Sequence, residues 1–197
     1  MRIVFVLLSV FTFFSCGKKI TATPSKINTY EEEIKSKLNL YMEKMITGDY
    51  EAMMDITYPK LFEIAPREDL IAMLSSAFDG DEMKITFDNH KILKVHDNIV
   101  KTENRLHTLV DYTLDMSMII NKDMAEVETL MLSEFEKQHG KENVTYDKNK
   151  NTFLIKVKNQ MIAVKENNEW YFLENRKEQK TILKIIFDDE TLSKLGI

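Results

Sequence analysis

Residues 104–120, NRLHTLVDYTLDMSMII, have apolar and polar side chains in alternation. One face is mostly apolar and carries Leu106, Thr108, Val110, Tyr112, Leu114, Met116, Met118 and Ile120. The opposite face is mostly polar and carries His107, Asp111, Thr113, Asp115 and Ser117. Because successive side chains of a strand point to opposite faces, this pattern predicts a long, curved antiparallel strand that is buried on one face.

Predicted helices precede this strand, and a further helix and shorter strands follow it. Apolar side chains at helical spacing, with capping residues and glycines at the ends, predict helices over roughly 29–48, 49–58, 66–80 and 123–140. Alternation between polar turns predicts strands at roughly 83–88, 91–96, 142–147, 152–157, 161–165 and 169–174. The pattern of residues 181–187 does not distinguish a helix from a strand. A short helix is predicted from Asp188 through Leu195. We therefore expect an α+β fold, with N-terminal helices packed on a curved antiparallel sheet, an inserted helix and a short C-terminal helix.

Composition limits the class of protein further. The chain has 197 residues, of which 44% are apolar and 30% charged, and its formal net charge is −5. These values exclude disordered and polytopic membrane proteins and fit a single domain over residues 29–197. An acidic chain gains nothing from releasing the counterions of nucleic acid, so that partner is disfavoured. One cysteine excludes an internal disulfide, and five scattered glycines form no phosphate-binding loop, so we expect no cofactor.

Residues 1–16 have the pattern of an export signal. Met1-Arg2 is a positive start, residues 3–14 are apolar, and Ser15 and Cys16 follow. A helix of that apolar length rises about 18 Å, which is short of the ~30 Å hydrocarbon core of a bilayer. The tetrapeptide Phe13-Phe14-Ser15-Cys16 resembles the lipobox of a bacterial lipoprotein signal peptide, with Phe13 where leucine is usual. The resemblance implies that residues 1–15 are removed and that Cys16 carries the lipid.

Residues 16–28 are polar, contain a proline and show no apolar period. This composition predicts that the lipidated cysteine is followed by a flexible tether. Gly17 is not an aspartate, so the lipoprotein resemblance gives no signal for retention in the inner membrane. We therefore expect the protein in the cell envelope, anchored to the outer membrane, on either its periplasmic or its surface side.

The order of elements in residues 29–174 resembles the nuclear-transport-factor-2-like (NTF2-like) family, with Trp170-Tyr171-Phe172 on a late strand. In that family, N-terminal helices pack into the concave side of a curved sheet. The helix predicted near 124–139 and the helical tail depart from the family pattern. For this chain the resemblance implies a sheet whose concave face meets the first helices.

Thr108 and Tyr112 are the polar members of the apolar face of the long strand, so they are the candidates for a ligand pocket. Tyr112 could donate a hydrogen bond to a ligand carbonyl, or it could be a core tyrosine whose hydroxyl meets an interior partner. Asp111 and Asp115 lie about 13 Å apart on a strand, which is too far to serve one small reacting centre. We expect those aspartates and His107 to form a solvated outer face.

The sequence predicts no metal site. His90 and His96 would lie about 20 Å apart on a strand. The loop at 147–151 begins like a calcium loop, but Thr152 stands where that loop needs glycine, and Lys158 stands where it needs glutamate.

Two functions from different classes fit these observations. The first is a non-catalytic, lipid-anchored envelope module that binds another envelope protein, a peptide or a small apolar ligand. The second is an NTF2-like enzyme that acts on a small apolar substrate, using Tyr112 with an acid or base from the helices. We expect the first because the long strand has no inward aspartate or histidine beside Tyr112.

Overall fold

The structure is a computed structural model that describes residues 24–78, 80, 83–121 and 128–197. The predicted signal peptide at 1–15, Cys16 and the first part of the tether lie outside the described residues. The predicted start of the inserted helix, at residues 123–127, also lies outside them.

The described residues form six α-helices and six strands. The helices are α1 Pro24–Ile46, α2 Tyr50–Met54, α3 Arg67–Phe78, α4 Glu128–His139, α5 Lys180–Ile186 and α6 Asp189–Leu195. Short 3₁₀ helices lie at Pro59–Glu63, Lys141–Asn143 and Lys177–Gln179. The strands are β1 Met83–Val95, β2 Val100–Thr102, β3 Arg105–Ile120, β4 Val144–Asp147, β5 Thr152–Glu166 and β6 Glu169–Glu174.

The strands form one antiparallel sheet around the long pair β3 and β5. On the far side of β3 lie β1 and, further along, β2. On the far side of β5 lie β4, opposite its first residues, and β6, opposite its last residues. This confirms the predicted α+β fold, and β3 confirms the predicted long strand almost residue for residue.

Two predicted turns are wrong. Asn89 does have a positive φ of 51°, but it forms a register shift inside β1 rather than a turn between two strands. Such a bulge bends a strand without ending it. Lys158 and Asn159 lie inside β5, where they pair with Thr113 and Tyr112 of β3. In both places, pairing with the long β3 overrides the local preference of asparagine for turns.

Helix α1 begins at Pro24 and therefore extends into residues 24–28, which the sequence analysis assigned to the tether. Proline is favoured in the first turn of a helix, where its missing N–H has no partner to lose. Helix α2 begins as predicted, because the Asp49 side chain accepts a hydrogen bond from the backbone N–H of Ala52.

The larger core lies between the inner face of the sheet and the N-terminal helices. Ile34 and Leu38 of α1 are fully buried there, together with Val110 and Leu114 of β3 and Phe172 of β6. Burying each such side chain stabilises the fold by about 1.5–3 kcal/mol. The inner face predicted for the long strand is therefore the main core surface of the domain.

A second core lies on the outer face, beneath α5 and α6. Leu109 of β3 and Ile162 of β5 are buried there against Leu183 and Phe187. The prediction that His107 is solvated is wrong, because this residue is 1% exposed and its ring meets that of Phe187 edge to face at 5.7 Å. The C-terminal helices cover this end of the sheet, where Leu109 is an apolar residue on the mostly polar outer face of the strand.

Residues 56–58 run along the free edge of β6. The N–H of Tyr58 donates to the carbonyl of Phe172, and the N–H of Phe172 donates to the carbonyl of Ile56, both at 3.0 Å. This short parallel bridge pairs the edge of β6 and holds α2 against the sheet. It fixes one wall of the inner pocket described below.

Candidate functional site

An inner pocket of about 160 Å³ lies between the N-terminal helices and the sheet. Its wall is mainly apolar and includes Met54 of α2, Leu70 and Leu74 of α3, Phe172 of β6 and Ile182 of α5. Polar side chains at the wall are Tyr41, Thr57, Glu174 and Gln179. An apolar cavity of about 150 Å³ is large enough to bind benzene. The inner pocket therefore has room for a molecule of that size.

Glu174 is the carboxylate of this pocket wall. It ends β6 opposite Met161, and its side chain is 18% exposed. Its Oε1 accepts a hydrogen bond from the Tyr112 hydroxyl at 2.5 Å. Its Oε2 accepts from Asn159 Nδ2 at 2.8 Å and from Arg176 Nε at 3.3 Å. The carboxylate is thus held from β3, from β5 and from the segment after β6.

Burial dominates the electrostatics of this cluster. It raises the pKa of Glu174, and the opposing effects of Arg176 and Tyr112 only reduce that rise. Burial and then the Glu174 carboxylate raise the pKa of Tyr112 well above its usual value. Tyr112 therefore keeps its proton and donates it in the hydrogen bond to Glu174.

The predicted pocket residues both lie deep in the protein. Tyr112 is 2% exposed, and its hydroxyl contacts Glu174 rather than the open pocket. Thr108 is fully buried, and its Oγ1 donates to the carbonyl of His96 at 2.8 Å. Neither belongs to the described residues that line the inner pocket. Direct contact of these residues with a ligand stays a prediction.

Glu174, Asn159 and Arg176 were missed by the sequence analysis. For Glu174 a signal was present, because Trp170, Phe172 and Glu174 alternate on one face of the predicted last strand. The two aromatic residues mark that face as inward, and the glutamate shares it. Asn159 had no such signal, because it was assigned to a turn.

On the outer face, Asp111 and Asp115 belong to separate hydrogen-bond networks. Asp111 Oδ2 lies 2.9 Å from His96 Nε2, and its Oδ1 accepts from Gln160 Nε2 at 2.7 Å. Asp115 Oδ2 accepts from Asn89 Nδ2 at 2.9 Å. Burial raises the pKa of Asp111, but the hydrogen bonds from Gln160 and His96 outweigh it, so that the pKa is lowered overall.

Within the described residues, no group of three or more His, Cys, Asp or Glu side chains is placed to hold a metal ion. The loop that begins like a calcium loop is the connection between β4 and β5. There the Asp147 side chain accepts from the N–H of Asn149. None of the helices in the described ranges is both long enough and apolar enough to cross a membrane.

The fold and the pocket define the class of protein as an α+β domain with a small, mainly apolar internal pocket. No protein-family model matches the sequence, and no curated protein matches it. A similar solved structure is that of a candidate dehydratase of the NTF2-like family from Streptomyces avermitilis. The two chains are 13% identical with a TM-score of 0.37, and the match covers 76% of this chain and 93% of the other. A likeness at this level carries no argument about function.

Proposed function

We propose that the protein is a lipid-anchored envelope protein whose domain binds a small, mainly apolar molecule in the inner pocket and does not transform it. The observation that carries this proposal is the composition of the pocket wall. Leucine, methionine, isoleucine and phenylalanine side chains make up most of the wall of a space of about 160 Å³, and four polar residues share that wall. Such a site favours shape and apolar contact over chemistry.

The state of Glu174 supports binding rather than catalysis. A general base must have a free lone pair directed at the substrate proton. Of the about four acceptor positions of the Glu174 carboxylate, three are already used, one by Tyr112 on one oxygen and two by Asn159 and Arg176 on the other. The carboxylate therefore acts as an internal acceptor that joins the strands behind the pocket.

Binding is tested with benzene and indole as probes of the full chain. A ligand that binds the folded state and not the unfolded state stabilises the fold by RT ln(1 + [L]/Kd) and so raises the melting temperature as its concentration increases. Leu70→Trp places a larger side chain in the pocket wall and should abolish that rise. Leu130→Trp is the matched control, because Leu130 on α4 is 71% exposed and lies outside the pocket. No rise in the wild type, or an equal rise in both variants, would contradict the proposal.

Anchoring at Cys16 rests on the lipobox-like sequence Phe13-Phe14-Ser15-Cys16. Several acyl chains on one residue hold a protein to a bilayer far more firmly than a single chain. A metabolic fatty-acid probe should label the wild-type protein, recovered in the outer-membrane fraction, and should not label Cys16→Ser. Equal labelling of the two proteins would exclude the anchor.

An NTF2-like enzyme that acts on a small apolar substrate is the second candidate function. The observation in its favour is that a carboxyl group with a raised pKa, Glu174, lies at the wall of the apolar pocket and contacts Tyr112. If this candidate is correct, Glu174→Gln and Tyr112→Phe abolish turnover of a small apolar substrate in proteins that stay folded. Binding without turnover in the wild type favours the first function.

A further inference from the structure

A row of polar side chains crosses the outer face where the cover of α5 and α6 ends. Lys94 and His96 contribute from the end of β1, Asp111 from β3, Gln160 from β5 and Asn175 from the residue after β6. His96 and Gln160 bind the two oxygens of Asp111, and Asn175 Nδ2 donates to Gln160 Oε1 at 2.6 Å. These contacts hold Asp111 and Gln160 in fixed orientations at the surface.

An outer cleft of about 530 Å³ opens beside this polar row. Its lining residues are Leu93, Asp111, Lys158, Asn159 and Gln160. The volume falls within the range of sites for small ligands. Within the described residues, the cleft and the inner pocket share no lining residue, although Asn159 of the cleft donates a hydrogen bond to Glu174 of the pocket.

The cleft combines unused donors and acceptors. A carboxylate can accept about four hydrogen bonds, and Asp111 accepts from His96 and Gln160, so further acceptor positions stay open. The Lys158 side chain is exposed and makes no hydrogen bond or ion pair within the described part of the chain. Its ammonium group is therefore a free donor in the cleft that Asp111 also lines. Leu93 is 50% exposed and adds an apolar surface.

This mixture selects against charged ligands. The Asp111 carboxylate repels a phosphate or a second carboxylate, and Lys158 and Lys94 repel a metal cation. A hydroxyl group, in contrast, can donate to Asp111 and accept from Lys158. A ring that carries several hydroxyl groups on one edge and C–H groups on its face would also pack on Leu93. We propose that the outer cleft binds a neutral saccharide.

The full chain is tested by saturation-transfer NMR with glucose and N-acetylglucosamine as probes and with inorganic phosphate in a separate arm. Asp111→Asn and Lys158→Met should each weaken saccharide binding about tenfold, because each removes a hydrogen bond that involves a charged group. The matched controls are Asp115→Asn and Lys156→Met. They make the same substitutions on the same strands and on the same face of the sheet, at residues that do not line the cleft. Both controls should bind as the wild type does.

Three results would overturn the proposal. The first is that neither saccharide binds the wild type, and the second is that phosphate binds at least as well as the saccharides. The third is that the control variants lose as much binding as the cleft variants. Lys158→Met changes an exposed side chain, so the test does not depend on the folding of Asp111→Asn. Leu70→Trp should leave saccharide binding unchanged, which separates this test from that of the inner pocket.

Discussion

The inner and outer faces of the sheet are covered in different ways, and β3 shows the difference within a few residues. On the inner face, Val110, Tyr112 and Leu114 are all buried beneath the N-terminal helices. On the outer face, His107 is buried beneath the C-terminal helices. Asp111 lies on the same face four residues later, but 35% of its side chain is exposed. Alternation along a strand therefore determines to which face of the sheet each side chain points. The helices that cover a face determine which of its side chains are buried.

The largest expected effect contrasts the same substitution on the two faces. Leu114→Ala removes a side chain that is 4% exposed in the inner core and should lower the free energy of unfolding by about 2–5 kcal/mol. Leu154→Ala removes one that is 50% exposed on the open outer face and should change that free energy by only about 0.5 kcal/mol. Urea denaturation of both variants measures the contrast. Equal losses would show that the open half of the outer face is covered in solution.

A smaller effect is expected from His107 in the outer core. Burial lowers the pKa of this histidine below 6.5, so the unfolded chain takes up the proton first as the pH falls. The wild type should therefore lose stability relative to His107→Gln as the pH falls below 6.5. Urea denaturation at a series of pH values measures this difference, and a difference that does not change with pH would contradict the burial of the imidazole.

Glu174 in the inner core should show the opposite sign. Burial raises its pKa above 4.5, so the unfolded chain releases the proton first as the pH rises. The stability of the wild type relative to Glu174→Gln should therefore fall as the pH rises through and above 4.5. The same pH series measures it. A relative stability that increases with pH would mean that Arg176, and not burial, dominates the state of this carboxyl group.

The smallest effect is expected from Tyr112→Phe, which removes the hydroxyl that donates to Glu174. Loss of one hydrogen bond should lower the free energy of unfolding by about 0.5–1.5 kcal/mol, since the carboxylate keeps its contacts with Asn159 and Arg176. Thermal and urea denaturation measure it. A loss as large as that of Leu114→Ala would show that the hydroxyl organises the whole cluster.

The parts of the fold that the sequence could predict are those with a strong local pattern. The long strand and the Asp49 cap are examples, because alternation and capping depend on neighbouring residues alone. The continuity of β5 through Lys158 and Asn159, the burial of His107 and the contact between Tyr112 and Glu174 depend on residues far apart in the chain. Local preference carries no information about those contacts. The sequence therefore singled out Tyr112, which is not among the described residues that line the pocket, and missed Glu174, the lining carboxylate that Tyr112 contacts.

A crystal structure of the full chain soaked with benzene would locate the binding site of the domain. In the wild type, benzene should occupy the inner pocket between α3 and β6, in contact with Leu70, Leu74 and Phe172. In Leu70→Trp the pocket should hold the indole ring and no benzene. Benzene found elsewhere, or a wild-type pocket that stays without it, would contradict the claim that this pocket is the binding site of the domain.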